Sequence, residues 1–322
     1  MNIIVIGLGS MGKRRIELIR RMYPEFTIIG TDEREDRREE AEKIFGISCL
    51  HSIEECTFAD CCAFVCTEPL SHSKYISDCL KRHWHVFTEL NLVRDGYEEN
   101  IALSKKNGRV LFLSSPFLYR EENRYIRSSV RSDQFWNYIY HIGQYLPDWH
   151  PWENYKDFFV NNQRTNGCRE ILSIELPWLE RSFGKILDAK AVSDKMTGLN
   201  IPYHDNFMIQ LKHEGGNKGV LVVDIVSPVA VRRFEAYAEN SYLAWDGTPE
   251  SLRVFDSETR RLQSVSLKEQ TERKENYSAF IVENMFANEI CEFFSCVFSG
   301  KSPEYGFEQD KSILEIVDSL GA

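Results

Sequence analysis

The chain has 322 residues, enough for about two domains of ordinary size. Hydrophobic residues make up 43% and charged residues 27%, a balance that excludes wholesale disorder and collagen-like or coiled-coil chains. The net charge is 39 − 49 = −10, so nucleic acids and anionic membranes are not expected as partners.

No apolar run reaches the length of a membrane-spanning helix, and no basic segment precedes the first apolar run. We therefore expect neither a transmembrane helix nor a secretory signal. The nine cysteines are odd in number and form no paired CxxC motifs. This pattern predicts reduced thiols in a cytoplasmic protein and no metal site.

Residues 1–116 alternate short apolar runs with charged stretches of helical pattern. The predicted strands are residues 3–6, 26–30, 63–66, 85–87 and 110–113. The predicted helices are residues 11–22, 73–82 and 97–106, with a further solvated helix within residues 32–43. This alternation predicts a parallel, doubly wound α/β sheet, which is a Rossmann domain, ending near Pro116.

Residues 117–322 are richer in aromatic side chains and strands. Strands are predicted at residues 134–143, 207–212, 219–226 and 231–238, and helices from about Glu170 and over residues 277–299. The turn Gly215-Gly216-Asn217 predicts a hairpin between the second and third of these strands. We expect a second, α+β domain here.

A GxGxxG motif follows the first strand and opens the first helix: Gly7, Gly9 and Gly12, with Ser10 and Met11 between the last two. In a dinucleotide-binding fold the first glycine permits a tight turn and the second lets the backbone approach a pyrophosphate. The third lets helix and strand pack closely, and the helix N-terminus offers free N–H groups to the phosphates. The motif therefore predicts a nucleotide cofactor.

Asp32 follows the second strand, twenty residues after the last glycine. A carboxylate there accepts hydrogen bonds from ribose hydroxyls and repels a 2′-phosphate, which favours NAD over NADP. Arg34 keeps NADP as the alternative, because its side chain could pair with that phosphate. Lys13, Arg14 and Arg15 in the first helical turn oppose the helix dipole, a conflict that a bound anion would relieve.

Three segments in order resemble the Gfo/Idh/MocA family of glucose–fructose oxidoreductase and inositol dehydrogenase relatives: the glycine motif, residues 65–72 and residues 85–89. The second resembles the family's Thr-x-Pro-x-x-His strand end, and the third the strand that leads to its Glu-Lys-Pro motif. The resemblance implies cofactor contacts from Thr67, Glu68, Pro69, His72 and Glu89. It also implies a C-terminal domain with an open, mainly antiparallel sheet, a homo-oligomer (dimer or tetramer) and a sugar-like or polyol substrate.

The sequence departs from that family at Glu89-Leu90-Asn91, where Leu90 stands in place of the lysine that moves a proton in the family. Such a group is worth roughly 10²–10⁴ in rate. The family's His-x-x-Asp pair also aligns with apolar residues, Ile174 and Pro177. Both usual catalytic positions are therefore apolar.

Two interpretations follow from this departure. In the first, the protein is an oxidoreductase whose proton-transfer groups have moved to a polar, aromatic segment and to the helix near residue 170. The candidates are Tyr145, Asp148, His150 and Glu170. The candidate substrate contacts are Tyr119, Arg120, Trp152 and Glu175. In the second, the protein binds the cofactor and acts as a catalytically silent regulator or sensor.

Overall fold

The computed structural model describes residues 1–149, 154–267 and 280–322. The chain forms two compact units: the first comprises residues 1–115 and 286–312, and the second comprises residues 116–285 and 313–322. The sequence analysis assigned residues 117–322 to a single domain, whereas residues 286–312 pack with the first unit.

The first unit is built on a six-stranded, fully parallel sheet with strand order β3-β2-β1-β4-β5-β6. This is the order of a dinucleotide-binding Rossmann sheet, so the predicted fold class is confirmed. Its elements are β1 (Asn2–Ile6), α1 (Ser10–Met22), β2 (Thr27–Thr31), α2 (Glu35–Phe45), β3 (Ser48–Leu50), β4 (Cys62–Val65), α3 (His72–Lys81), β5 (His85–Thr88), α4 (Tyr97–Asn107) and β6 (Leu111–Leu113).

The central strands are apolar along their whole length because both faces are covered. Ile3, Ile4 and Val5 of β1 have no exposed surface, as expected for strands of a parallel sheet buried between helices. Gly108 adopts the left-handed conformation (φ 61°) immediately after α4 and caps its C-terminus. All strands therefore present their carboxyl ends at one edge, where ligands bind in such sheets.

The second unit contains an eight-stranded sheet with order β14-β13-β12-β11-β7-β10-β9-β8. Only the pair β7 and β10 is parallel, so the predicted mainly antiparallel sheet is confirmed. Its elements are α5 (Glu121–Ser129), β7 (Asn137–Gly143), α6 (Gly167–Phe183), β8 (Ile186–Asp194), β9 (Asn206–His213), β10 (Lys218–Asp224), β11 (Val231–Ala238), β12 (Ser241–Trp245), β13 (Arg253–Asp256) and β14 (Arg261–Ser264).

One face of this second sheet is buried against α6. Tyr138 packs on Phe183 and Tyr140 packs edge-on against Trp178. The opposite face carries exposed apolar side chains, among them Ile139 at 49%, Met208 at 59% and Val220 at 42% exposure. The register places Ile139 beside Val220 and Val222 beside Met208, so these side chains form a continuous strip across three strands.

The chain ends with α7 (Glu283–Ser299) and α8 (Phe307–Ser319). Phe293 of α7 packs edge-on against three phenylalanines of the first sheet, at 5.3 Å from Phe64, 5.6 Å from Phe87 and 5.8 Å from Phe112 between ring centroids. The predicted helix at residues 277–299 therefore begins at Glu283, and residues 277–279 of that prediction lie outside the described residues. Residues 286–312 complete the core of the first unit.

Several helices and strands were not predicted from the sequence. The strand β8 was missed because only Ile186 of its nine residues is buried, so no apolar alternation marks it. The strands β12, β13 and β14 are four or five residues long, and α5 and α8 were also not predicted. The hairpin at Gly215–Asn217 is confirmed, since β9 and β10 pair antiparallel around it.

All nine cysteines are free thiols, and six of them are buried. Within the described ranges, no helix combines the length and the apolar character needed to cross a bilayer.

Candidate functional site

The loop between β1 and α1 uses its three glycines in two different ways. A Cβ on Gly7 would lie 2.8 Å from the Cys66 carbonyl oxygen, and Gly7 has φ +92°. A Cβ on Gly12 would lie 1.9 Å from the Gly7 carbonyl oxygen. At Gly9 the nearest atom to such a Cβ is Nη1 of Arg37, at 3.9 Å. Gly7 and Gly12 are therefore required for packing, whereas the backbone at Gly9 faces open space.

The first turn of α1 has no internal acceptor for its amides. Gly9 is the N-cap and supplies no side chain, and no acidic residue occurs in the first turn. The leading N–H groups of a helix carry a partial positive charge and need an acceptor. An open glycine backbone in front of uncapped amides fits a pyrophosphate.

Asp32 lies at the carboxyl end of β2 and is held by the glycine loop. Its Oδ2 accepts the Leu8 N–H at 2.8 Å and its Oδ1 accepts the Arg34 N–H at 2.9 Å. The guanidinium of Arg34 pairs instead with Asp36, through Nε–Oδ1 at 3.0 Å. Arg37 lies beside Asp32, with its Nη1 3.5 Å from Oδ2. Arg38 also lies beside Asp32 and donates to its carbonyl oxygen at 2.8 Å, and neither arginine was named from the sequence.

His72 ties the loop after β4 to the loop after β5. Its Nε2 lies 2.9 Å from the Thr67 carbonyl oxygen and its Nδ1 2.6 Å from Oδ1 of Asn91. Burial lowers the pKa of His72 below its usual value, which favours a neutral ring. A neutral ring donates one hydrogen bond and accepts another. The Thr67 carbonyl oxygen can only accept, so Nε2 donates to it and Nδ1 accepts. The amide nitrogen of Asn91, and not its oxygen, must therefore face Nδ1.

Thr67, Glu68 and Pro69, the other predicted residues of the loop after β4, differ in their contacts and exposure. Ser71 Oγ donates a hydrogen bond to Oγ1 of Thr67 at 2.7 Å. Pro69 is buried and Glu68 is exposed.

Glu89 occupies the carboxyl end of β5 and binds Arg15 with both oxygens, at 2.6 Å to Nε and 3.0 Å to Nη2. Arg15 has no exposed surface and stacks on the Phe87 ring at 4.6 Å. A second carboxylate, Glu289 of α7, lies 2.5 Å from Nη2 of Arg15. Its oxygens also accept hydrogen bonds from Ser114 Oγ and from the Ser115 N–H, at 3.0 Å and 3.2 Å. Burial raises the pKa of Glu289 to about 7.

These contacts change the interpretation of the basic first turn of α1. We expected a bound anion to relieve the conflict between Lys13, Arg14, Arg15 and the helix dipole. Protein carboxylates already neutralise two of these cations, because Lys13 pairs with Glu40 at 2.8 Å and Arg15 pairs with Glu89 and Glu289. The uncapped amides, rather than these side chains, remain available to an anion.

The proposed relocated proton donors lie in the second unit. Glu170 is in the first turn of α6, where burial raises the pKa of its carboxyl to about 7. Its buried Oε2 has no hydrogen-bond partner among the described residues. Tyr145 is half-buried, and Asp148 is exposed in a short turn. His150 and Trp152 lie outside the described residues, so the four predicted catalytic residues are not seen together.

Two predicted substrate contacts are occupied by the protein itself. Arg120 is buried and binds Glu122 with two hydrogen bonds, at 2.9 Å and 3.1 Å. It also donates to the carbonyl oxygens of Gly247 and Phe280, both at 2.6 Å. Because these acceptors already engage its guanidinium, Arg120 is not arranged to clamp a substrate carboxylate.

Glu175 is fully buried and equally engaged. It pairs with Arg232 at 2.6 Å and accepts hydrogen bonds from Tyr140 Oη at 2.9 Å and Trp178 Nε1 at 2.6 Å. Its contacts are those of a structural ion pair, because each polar partner is a protein group. Tyr119 is buried as well, with 6% of its surface exposed.

Glu289, Arg37 and Asn91 belong to the site region and were not found from the sequence. Glu289 lies 274 residues from Arg15 in the chain, and it occurs in a helix whose apolar spacing indicated only core packing. The three consecutive basic residues at the start of α1 were a usable signal, because a buried cation requires a carboxylate partner.

Residues 1–114 match the family model described as "GFO_IDH_MocA: Oxidoreductase family, NAD-binding Rossmann fold". This part of the chain is therefore similar to the Rossmann domain of that oxidoreductase family, in agreement with the resemblance that the motifs carry. No curated protein matches the sequence.

Solved structures resemble the whole chain at low sequence identity. UDP-N-acetylglucosamine 3-dehydrogenase GnnA from Acidithiobacillus ferrooxidans has a TM-score of 0.76 at 13% identity, covering 100% of this chain and 99% of that chain. Levoglucosan dehydrogenase in complex with NADH has a TM-score of 0.79 at 13% identity, covering 99% and 96%. GenD2 from gentamicin A biosynthesis in complex with NAD has a TM-score of 0.76 at 13% identity, covering 99% and 92%. At these identities the likeness shows the fold alone.

Proposed function

We propose that this protein is an NAD-dependent oxidoreductase that acts on a sugar, polyol or related hydroxy or keto compound. The observation that carries the proposal is the glycine loop, in which Gly9 faces open space in front of the uncapped first turn of α1. The pyrophosphate would bind there, with Asp32 at the end of β2 accepting hydrogen bonds from the adenosine ribose.

We infer that NAD binds more tightly than NADP. Asp32 places a carboxylate where NADP carries its 2′-phosphate, and charge repulsion opposes that phosphate. Arg37 at 3.5 Å partly neutralises Asp32, so we expect a preference rather than exclusion. Equal affinities of the parent protein for NADH and NADPH, measured by fluorescence titration, would contradict this inference.

The bound cofactor would supply a hydride acceptor or donor at its nicotinamide ring. With the adenosine ribose at β2 and the pyrophosphate at β1, the other half of the molecule extends toward the ends of β4 and β5. There Thr67, His72 and Asn91 hold the two loops together, and Glu89 is fixed by Arg15. These residues position the cofactor, and none of them replaces the family lysine at Leu90.

The proton would then be moved by a residue of the second unit. Glu170 is the candidate with the clearest support, because a carboxyl with a pKa near 7 can both give and take a proton at neutral pH. Tyr145, Asp148 and His150 remain further candidates. For the substrate class, the support is that similar folds include a dehydrogenase of UDP-N-acetylglucosamine and one complexed with levoglucosan.

We further propose a homo-oligomer in the cytoplasm. The strip formed by Ile139, Val220, Val222 and Met208 on the open sheet face is the surface suited to contact a second copy, because exposed apolar patches commonly mark interaction sites. The cytoplasmic location rests on the sequence alone.

Substitution of Gly9 tests the cofactor site. We expect Gly9→Leu to abolish NADH binding in calorimetry, because the side chain fills the space that the pyrophosphate needs. Gly198→Leu is the matched control, since a Cβ added to Gly198 has nothing within 4 Å and this glycine, like Gly9, has no positive φ. Unchanged NADH affinity in the folded Gly9→Leu protein would disprove the proposal.

A second candidate function is a catalytically silent cofactor-binding regulator, which the apolar Leu90 favours. Leu90→Lys separates the two. In a silent protein the new ammonium would create weak dehydrogenase activity on a sugar or polyol. In an enzyme with a relocated proton donor it would leave the rate unchanged or lower it, because a half-buried ammonium is costly beside existing machinery. Cofactor reduction followed at the NADH absorbance decides between them.

A further inference from the structure

The charges around Arg15 do not balance. One guanidinium faces two carboxylates, Glu89 at 2.6 Å and Glu289 at 2.5 Å. Arg15 and Glu289 have no exposed side-chain surface, and Glu89 has 12%. If both carboxylates are ionised, this cluster carries one uncompensated negative charge in a buried place, which is costly. A proton on one carboxylate removes that cost.

The neighbouring buried cation, Arg14, stacks on the Phe286 ring at 4.6 Å, and its charge does not change near pH 7. The remaining groups that face the cluster are neutral there. Cys66 Sγ lies 3.7 Å from Glu89, and burial raises the pKa of its thiol well above the usual value. His72, on α3, has its pKa lowered by burial. Ser114 donates a hydrogen bond to Glu289 at 3.0 Å, and the Phe286 carbonyl oxygen lies 3.4 Å from Arg15. The change of charge in the cluster near pH 7 therefore depends on the proton of Glu289.

The more deeply buried of the two carboxylates is the one that holds the proton. Glu89 is bound by two nitrogens of Arg15, whereas Glu289 contacts only Nη2 of that side chain. Burial raises the pKa of Glu289 to about 7. The cluster is thus neutral in mildly acidic solution and carries one negative charge in mildly basic solution.

We propose that Glu289 sets the preference of this site for the oxidised over the reduced cofactor, an inference that rests on the proposed function. Its cluster lies at the carboxyl end of β5, toward which the nicotinamide half of the cofactor extends. The oxidised ring carries a positive charge and the reduced ring is neutral. A negative cluster attracts the oxidised ring and leaves the reduced ring nearly unaffected.

The direction of the pH dependence follows from this charge. As pH rises through about 7, Glu289 loses its proton and the affinity for NAD⁺ increases relative to that for NADH. By reciprocity, binding of NAD⁺ favours the ionised Glu289 and releases a proton at pH 7, whereas binding of NADH releases less. Because the Glu289 side chain has no exposed surface, it would act on the cofactor through charge and not by contact, so it is a specificity-determining and not a catalytic residue.

Calorimetric titration with NAD⁺ and with NADH between pH 6 and 8.5 tests this proposal. In the parent protein we expect the ratio of the two affinities to change about fivefold in favour of NAD⁺, with a midpoint near pH 7. Glu289→Gln should make the ratio independent of pH, at the parent's acidic value. Glu292→Gln is the matched control, because it removes the same charge from the same helix and should preserve the transition.

If Glu289→Gln does not fold, Ser114→Ala provides a second test of the proposal. It removes a hydrogen bond to the ionised Glu289 and should move the midpoint to higher pH. A ratio that stays constant with pH in the parent protein would overturn this inference while leaving the proposed function intact. If neither NAD⁺ nor NADH binds, the proposed function fails and the inference fails with it.

Discussion

Two buried arginine–glutamate clusters, one at Arg15 in the first unit and one at Arg232 in the second, differ in their balance of charge. In the second unit Arg232 faces one carboxylate, Glu175, through its Oε1, and two neutral donors, Tyr140 and Trp178, donate hydrogen bonds to its Oε2. In the first unit Arg15 faces two carboxylates. The balanced cluster, at Arg232, lies between the second sheet and α6. The unbalanced cluster, at Arg15, lies at the carboxyl end of β5.

This difference shows what each cluster can do. A one-to-one buried pair holds a fixed charge state over a wide range of pH, because protonation of either partner leaves the other unpaired. Two carboxylates that share one cation are coupled and can take up one proton near neutrality. The second unit therefore uses its arginine for rigidity, and the first places a titratable charge beside a binding edge.

The largest expected effect comes from breaking the balanced pair. Glu175→Gln preserves volume but leaves the Arg232 charge buried without a counterion, so we expect a loss of about 3–5 kcal/mol in the free energy of unfolding. Urea denaturation followed by circular dichroism measures this loss. A loss of less than 1 kcal/mol in the free energy of unfolding would show that the Arg232–Glu175 pair contributes little to stability.

The same substitution in the unbalanced cluster should depend on pH. Since burial raises the pKa of Glu289 from 4.5 to about 7, the folded protein binds more protons than the unfolded chain between these values. The stability due to Glu289 is therefore fully present below pH 4.5 and is lost as pH rises through about 7. Between pH 5 and pH 8 the stability of the parent relative to Glu289→Gln should fall by on the order of 2 kcal/mol. If the free energies of unfolding of the parent and of Glu289→Gln change equally with pH, this prediction is wrong.

The smallest expected effect concerns the neutral donors of the balanced cluster. Tyr140→Phe removes a hydroxyl that donates to Glu175 and accepts from Arg232 at 2.6 Å. We expect a cost of about 1–2 kcal/mol in the free energy of unfolding. Tyr242→Phe is the control, because its hydroxyl donates to the partly exposed Glu235, and its cost should be smaller.

The sequence predicted the half of the site that is local in the chain. The turn at Gly7, Gly9 and Gly12 and the position of Asp32 follow from spacing, since each constraint acts between neighbouring strands and one helix. The charge partners could not be predicted from the sequence, for a physical reason. Arg15 meets Glu289, and Tyr140 meets Arg232, only after the chain has folded across 274 and 92 residues. Pattern alone assigned Arg120 and Glu175 to a substrate, because a charged side chain looks the same in a sequence whether it is exposed or buried.

The return of residues 286–312 to the first unit has a consequence for biosynthesis. The first 115 residues leave the ribosome before the segment that supplies Phe293 and Glu289, and the 170 residues from 116 to 285 are made in between. At roughly 5–20 residues per second, the nascent Rossmann sheet waits about ten to thirty seconds for its last helix. During that interval the rings of Phe64, Phe87 and Phe112 lack their edge-on partner, and Arg15 has only Glu89. The first unit to begin translation is therefore completed only after most of the second unit has been made. A fragment that ends at Ser115 should expose an aggregation-prone aromatic surface.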